Sequence, residues 1–235
     1  MIDRRTLLKL GIGALAFGCT SFDPTRLRAR PSSSLSPIAA GEHDLGLDRP
    51  AILYVPANAR GAFSLLLHGA TQRPEWMIDR FRDASDATGV ALLAPKSAGI
   101  TWDAIRGEFG PDVAFIDGAL RAAFAMCSAD RKHLAIAGFS DGATYSLALG
   151  RANGDLFSHI LAFSPGFLIP VGTVGSPRVF LSHGTRDPIL PIDQASRRIA
   201  RDLRRENLSV NLREFDGVHA VPPEIAREGF EWFTR

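Results

Sequence analysis

From residue 51 onward, short apolar runs alternate with stretches whose apolar residues recur every three or four positions. AILYVPA (51–57), AFSLLLHG (62–69), VALLAP (90–95), HLAIAGF (133–139), HILAFSP (159–165) and RVFLSHG (178–184) are short, nearly continuous apolar runs and predict buried strands. LSVNLREF (208–215) adds another. Between them, residues 75–89 predict a helix with Trp76, Ile78, Phe81 and Ala84 on its apolar positions and Gly89 as its stop. Residues 112–127 carry Val113, Ile116, Leu120, Ala123 and Phe124 on one helical stripe. Further helices are predicted over 141–150, 192–207 and 222–235, the second with a solvated charged face and Asp193 as its cap. Strand–helix alternation with continuously apolar strands predicts an α/β fold, a mostly parallel central sheet with helices on both faces. Residues 166–177 make only a short loop, so no large lid is expected.

The beginning of the chain reads differently. MIDRRTLLKLGIGALAFGCTS has a basic start, a short apolar stretch and then small residues, the three parts of an export signal. The apolar part, Leu7–Gly18 with Lys9 inside it, is shorter than the roughly 20 residues a membrane-spanning helix needs. Arg4-Arg5 resembles a bacterial twin-arginine signal, with Asp3 and Leu7 departing from the usual pattern. Cys19 follows LAFG, a loose lipoprotein cleavage box, which leaves lipidation, plain cleavage and a retained anchor open. The division expected is an export signal over 1–19, a Pro-, Ser- and Arg-rich flexible linker over 20–41 and one globular domain over 42–235. Such a chain works in the periplasm or cell envelope of a bacterium, with a membrane tether if Cys19 is lipidated.

Composition narrows the function by exclusion. Lys+Arg 27 against Asp+Glu 25 gives a formal charge of only +2, too weak a field to favour nucleic acid. Two cysteines, Cys19 and Cys127, form neither a disulfide framework nor a metal-binding spacing. No metal and no cofactor is called for.

The chemistry gathers around GFSDG (138–142), which fits G-x-S-x-G. Five residues alone are a weak signal. Here, however, a predicted strand precedes and a predicted helix follows, the setting in which a serine stands exposed on a tight strand-to-helix turn. Glycines on either side let the backbone approach closely. A serine hydroxyl becomes a useful nucleophile only when a base takes its proton. In the order Ser, Asp, His, Asp187 follows the strand RVFLSHG and His219 follows the strand LSVNLREF. All three fall at carboxyl ends of strands, where open α/β sheets bind ligands. Asp193 and Asp216 are the rival acids. His43, His133 and His159 read as surface or satisfied polar residues, while His68 and His183, just before glycines, read as turn-shaping.

An oxyanion needs preorganised N–H donors. The backbone of Asp141 is one candidate and that of Ala70, in LLLHGATQ, is the other. The Asp141 carboxylate either points into the cleft and disfavours anionic substrates or turns away to cap the following helix. Trp102 either lines a substrate pocket or packs over its loop.

Taken together and in this order, LLLHGATQ, DVAFID, GFSDGA, HGTRDPILP and FDGVHAVPPE resemble the α/β-hydrolase fold over about residues 48 to 235. They are similar to the compact phospholipase/carboxylesterase group and to the polyhydroxybutyrate depolymerase/feruloyl esterase group. The resemblance implies a serine esterase acting on small-molecule esters without a cofactor. It further implies Ser140, Asp187 and His219 as the triad, with Ala70 and Asp141 as oxyanion donors. A thioesterase or lysophospholipase, an acyltransferase, and a catalytically silent binding protein on the same fold stay open at this stage, as does the oligomeric state.

Overall fold

The structure, a computed structural model, describes residues 23–31 and 38–235. The expected export signal and Cys19 lie outside the described residues. In chain order the elements are β1 (Gly41–Asp44), β2 (Ala51–Val55), β3 (Phe63–Leu67), α1 (Pro74–Thr88), β4 (Ala91–Pro95), α2 (Asp103–Arg106) and α3 (Pro111–Met126). They continue with β5 (Leu134–Phe139), α4 (Asp141–Ala152), β6 (His159–Phe163), β7 (Arg178–Gly184), α5 (Ser196–Arg205), β8 (Val210–Phe215) and α6 (Pro223–Phe233). The strands form one eight-stranded sheet in the order β1-β2-β4-β3-β5-β6-β7-β8. The β1–β2 and β2–β4 pairs are antiparallel, and every pair from β4 to β8 is parallel.

The period-2 alternation of strand side chains divides the apolar runs between two cores. Leu65, Leu67, Leu93, Ile136, Ile160 and Leu181 face α3, α4 and α5, whereas Leu66, Leu92, Ala137, Leu161 and Phe180 face α1 and α6. Burial on both faces is why these strands read as continuous apolar runs. Helix α1 meets the sheet with Met77, Ile78, Phe81 and Ala84, and Gly89 ends it in the left-handed conformation with φ 73°. Trp76 is not part of that stripe: it is 53% exposed, because a 3.6-residue turn carries Met77 to the sheet in its place.

The sequence pattern missed β1, an edge strand of only four residues, and the four-residue α2. It also placed the start of α5 too early. Ile192–Ala195 precede that helix, so Asp193 does not cap it and instead pairs with Arg197 at 2.9 Å.

Part of the linker expected over 20–41 is corrected in the structure: of its residues, 23–31 are docked on the domain. Leu27 and Ala29 are buried. The Leu27 N–H donates to Asn153 Oδ1 at 2.8 Å, and the N–H groups of Arg28 and Ala29 donate to Asp117 Oδ1 at 2.6 and 2.7 Å. Asn153 Nδ2 returns a bond to the Thr25 carbonyl, and Arg26 and Arg30 both pair with Asp155. Side chains from α3 and from the end of α4 thus supply the backbone partners that a strand neighbour would otherwise give.

Parallel pairing from β4 to β8 sends the carboxyl ends of β3 to β8 to one edge of the sheet. The loops after β3, β4, β5, β7 and β8 meet there, and the site forms among them.

Candidate active site

Ser140 occupies the single-residue turn between β5 and α4, with φ 56° and ψ −119°. This conformation is costly for a residue with a Cβ and holds only because its surroundings fix it. Its N–H donates to the Phe163 carbonyl at 2.9 Å, and its carbonyl accepts from the Thr144 N–H at 3.0 Å. The flanking glycines follow from close backbone approach. A Cβ on Gly142 would lie 2.0 Å from the Leu67 carbonyl oxygen, and one on Gly138 would lie 2.3 Å from the Gly142 carbonyl oxygen.

From the loop between β8 and α6, His219 places Nε2 2.9 Å from Ser140 Oγ. Its Nδ1 lies 2.6 Å from Asp187 Oδ2. A carboxylate only accepts, so Nδ1 carries the proton and Nε2 is left to accept from the serine hydroxyl. The ring also packs on Phe139, with centroids 4.8 Å apart. The Asp187 side chain is fully buried. Its Oδ1 accepts from the N–H groups of Ile189 and Leu190, each at 2.9 Å. Burial pushes this carboxyl's pKa up. The Leu190 N–H, the His219 imidazole and the Ile189 N–H outweigh burial together, so it sits below the usual carboxylate range.

The structure therefore brings Ser140, His219 and Asp187 into one hydrogen-bonded chain from three separate loops. It leaves the rival acids elsewhere: Asp216 is exposed and pairs with Arg186 at 2.7 Å, and Asp193 pairs with Arg197.

On the other side of Ser140, the turn after β3 approaches so closely that a Cβ on Gly69 would lie 3.3 Å from Ser140 Cβ. Ala70 follows, and then Thr71 in the left-handed region with φ 62°. The Gly69 N–H donates to Gln72 Oε1 at 3.2 Å and the Thr71 N–H to the Ile100 carbonyl at 2.6 Å. The residues on both sides of Ala70 are thus fixed by hydrogen bonds. The Asp141 carboxylate does not cap α4. Its Oδ2 accepts from Thr101 Oγ1 at 2.6 Å.

Trp102 does not line a substrate pocket, and that expectation is corrected here. It is 1% exposed, its Nε1–H donates to the His68 carbonyl at 2.8 Å, and its ring lies against those of His68 and Tyr145. It supports the turn after β3 from beneath.

The turn-shaping histidines prove to be fully buried and specific. His68 places Nδ1 2.7 Å from the Gly69 carbonyl, to which it donates, while Nε2 accepts from the Ser97 N–H at 3.1 Å. Burial lowers its pKa to about 4, so it is neutral, as both bonds require. His183 was missed as part of the site. Its Nε2 lies 2.7 Å from the Leu190 carbonyl and 3.1 Å from Asp187 Oδ2, and its Nδ1 accepts from Ser196 Oγ at 2.7 Å. Burial again lowers its pKa. Thr101 and Gln72 were also missed, since nothing in a loop's composition reveals which residue its side chain will meet.

No family model matches the chain, and no curated relative matches it significantly. Solved structures do. The phospholipase/carboxylesterase from Dyadobacter fermentans DSM 18053 superposes with a TM-score of 0.61 at 19% identity, over 85% of this chain and 100% of that one. The Bacillus cereus carboxylesterase gives 0.61 at 15% identity, over 80% and 94%. The S-formylglutathione hydrolase from Staphylococcus aureus gives 0.63 at 14% identity, over 85% and 100%. This chain has the α/β-hydrolase fold. In that fold Ser140 occupies the turn between β5 and α4, and Asp187 and His219 follow it in the chain.

Proposed function

We propose that this α/β-hydrolase cleaves small-molecule carboxylic esters through an acyl-enzyme on Ser140. The observation that carries the reading is the chain Ser140 Oγ–His219 Nε2 at 2.9 Å and His219 Nδ1–Asp187 Oδ2 at 2.6 Å, with the serine held at φ 56°. His219 takes the Ser140 proton as Oγ attacks the ester carbonyl carbon, and the carbonyl oxygen becomes an oxyanion. The N–H groups of Ala70 and Asp141 receive that charge. Asp187 holds the tautomer and stabilises the imidazolium. His219 then returns the proton to the leaving alcohol, and water enters by the reverse sequence to release the acid.

Three large apolar side chains stand exposed on the loops that meet at the site: Ile100, Ile189 and Val218. Ile189 follows Asp187 by two residues and Val218 immediately precedes His219. An uncharged substrate with apolar groups on either side of the ester suits this rim, and the short 166–177 loop leaves it open to water.

Hydrolysis of p-nitrophenyl esters from acetate to palmitate, with Ser140→Ala alongside, tests the proposal. Turnover that disappears in the variant supports it. A wild-type chain as inert as the variant on every ester, and unlabelled by a fluorophosphonate, refutes it. The arginine pair and short apolar stretch at the N-terminus support export to the bacterial envelope. Fractionation of cells with and without a working twin-arginine translocase tests that part.

A further inference from the structure

The proposed mechanism draws its oxyanion donors from two segments, the turn after β3 with Ala70 and the first residue of α4, Asp141. A third, the loop after β4, reaches both. The Ile100 carbonyl accepts from the Thr71 N–H at 2.6 Å, Thr101 Oγ1 donates to Asp141 Oδ2 at 2.6 Å, and Trp102 Nε1 donates to the His68 carbonyl at 2.8 Å. Three successive residues thus grip both sides of the site. The loop is itself anchored. Lys96 Nζ and Ser97 Oγ both donate to the Gly99 carbonyl, the Ser97 N–H donates to His68 Nε2, and the Ala98 N–H donates to buried Asp112.

We infer that Thr101 is a positioning residue for ester cleavage, its hydroxyl clamping the Asp141 carboxylate so that the two oxyanion donors keep a fixed separation. The inference rests on the serine-hydrolase reading above. A carboxylate one residue from the nucleophile is a like charge to the developing oxyanion and opposes it in a site of low effective dielectric. The bond from Thr101, a residue only 6% exposed, is a short O–H···O⁻ bond of the charge-assisted kind. It draws charge density toward the loop after β4 and removes the freedom of the carboxylate to swing toward the reacting carbonyl. Thr101 acts through Asp141, so its loss lowers kcat and leaves KM nearly unchanged.

Thr101→Val keeps the shape and removes the donor. The expected result is a fall in kcat for p-nitrophenyl ester hydrolysis on the order of tenfold, less than the cost of deleting an oxyanion donor outright. The rate of Ser140 labelling by a fluorophosphonate falls in parallel. Thr101→Ser restores both. The decisive arm is Asp141→Asn placed in the Thr101→Val chain: it removes the unclamped charge, keeps the backbone N–H, and recovers most of the lost kcat. A purely structural role for Thr101 predicts no recovery there. If Thr101→Val does not fold, Thr101→Ala carries the same expectations. A chain that is labelled and turns over esters, yet is unaffected by Thr101→Val, overturns the clamp and leaves the esterase reading standing. So does a loss that Asp141→Asn fails to repair. A wild-type chain neither labelled nor active removes the esterase reading and the clamp with it.

Discussion

His183 Nε2 lies 3.1 Å from Asp187 Oδ2, the same oxygen that accepts the bond from His219 at 2.6 Å. The carboxylate that orients His219 is therefore itself oriented, by a second imidazole whose other nitrogen is fixed by Ser196. Two buried rings and two backbone N–H groups leave Asp187 one orientation.

Replacing His183 should therefore affect chemistry as well as stability. His183→Leu strands the Ser196 hydroxyl and the Leu190 carbonyl, each an unsatisfied buried group costing about 1–3 kcal/mol. We expect a lower urea midpoint and a fall in kcat with KM little changed. Equilibrium unfolding and ester kinetics on the same preparation check both.

Asp187→Asn and Ser140→Ala should separate orientation from nucleophilicity. Either substitution is expected to lower kcat by roughly three orders of magnitude or more. Asn presents an N–H where an acceptor is needed and favours the wrong His219 tautomer, whereas Ala removes the attacking oxygen. Fluorophosphonate labelling should persist slowly in Asp187→Asn and vanish in Ser140→Ala.

Acid should weaken the fold before it denatures it outright. His68 has its pKa lowered from 6.5 to about 4 by burial, so the unfolded chain binds a proton there that the folded chain refuses. Its contribution is complete above pH 6.5 and erodes as the pH falls from 6.5 to about 4, by about 3 kcal/mol at about 1.4 kcal/mol per unit. Asp187, held below the usual carboxylate range, acts in the same sense at lower pH: its stabilisation is lost as pH falls through its folded value. Urea midpoints measured from pH 8 to pH 4 should decline, and His68→Asn should flatten part of that slope.

The glycines of the elbow and of α3 make a paired test of close packing. Gly142→Ala would put a Cβ 2.0 Å from the Leu67 carbonyl oxygen and should leave the chain insoluble or destabilised by more than about 4 kcal/mol. Gly118, within α3, has nothing within 4 Å of the position its Cβ would take, so Gly118→Ala should stabilise by about 0.5–1 kcal/mol. Thermal denaturation of the two variants distinguishes them at once.

The docked N-terminal segment gives a last expectation. Removing residues 1–31 exposes the surface beneath Leu27 and Ala29 and strips Asn153 and Asp117 of their backbone partners. Burial of Leu27 alone is worth about 1.5–3 kcal/mol. A chain beginning at Ser32 should unfold at a lower temperature than one beginning at Asp23.

The amino-acid sequence by itself determined most of the strand–helix order and the mostly parallel sheet, and it singled out Ser140, Asp187 and His219, which the fold joins by hydrogen bonds. Each of these is a local signal: a run of apolar residues, a glycine-flanked serine before a helix, an acid and a histidine just past strand ends. The tertiary structure alone decided how residues far apart in the chain meet. It took Trp102 out of the cleft and put it under the turn after β3, and it gave Thr101 to Asp141 and His183 to Asp187. It also docked residues 23–31 on side chains nearly 90 to 130 positions away, where composition pointed to a free linker. The reason is physical. Periodicity records which face of an element is buried, whereas a hydrogen bond between two loops depends on the packing of the whole sheet that carries them.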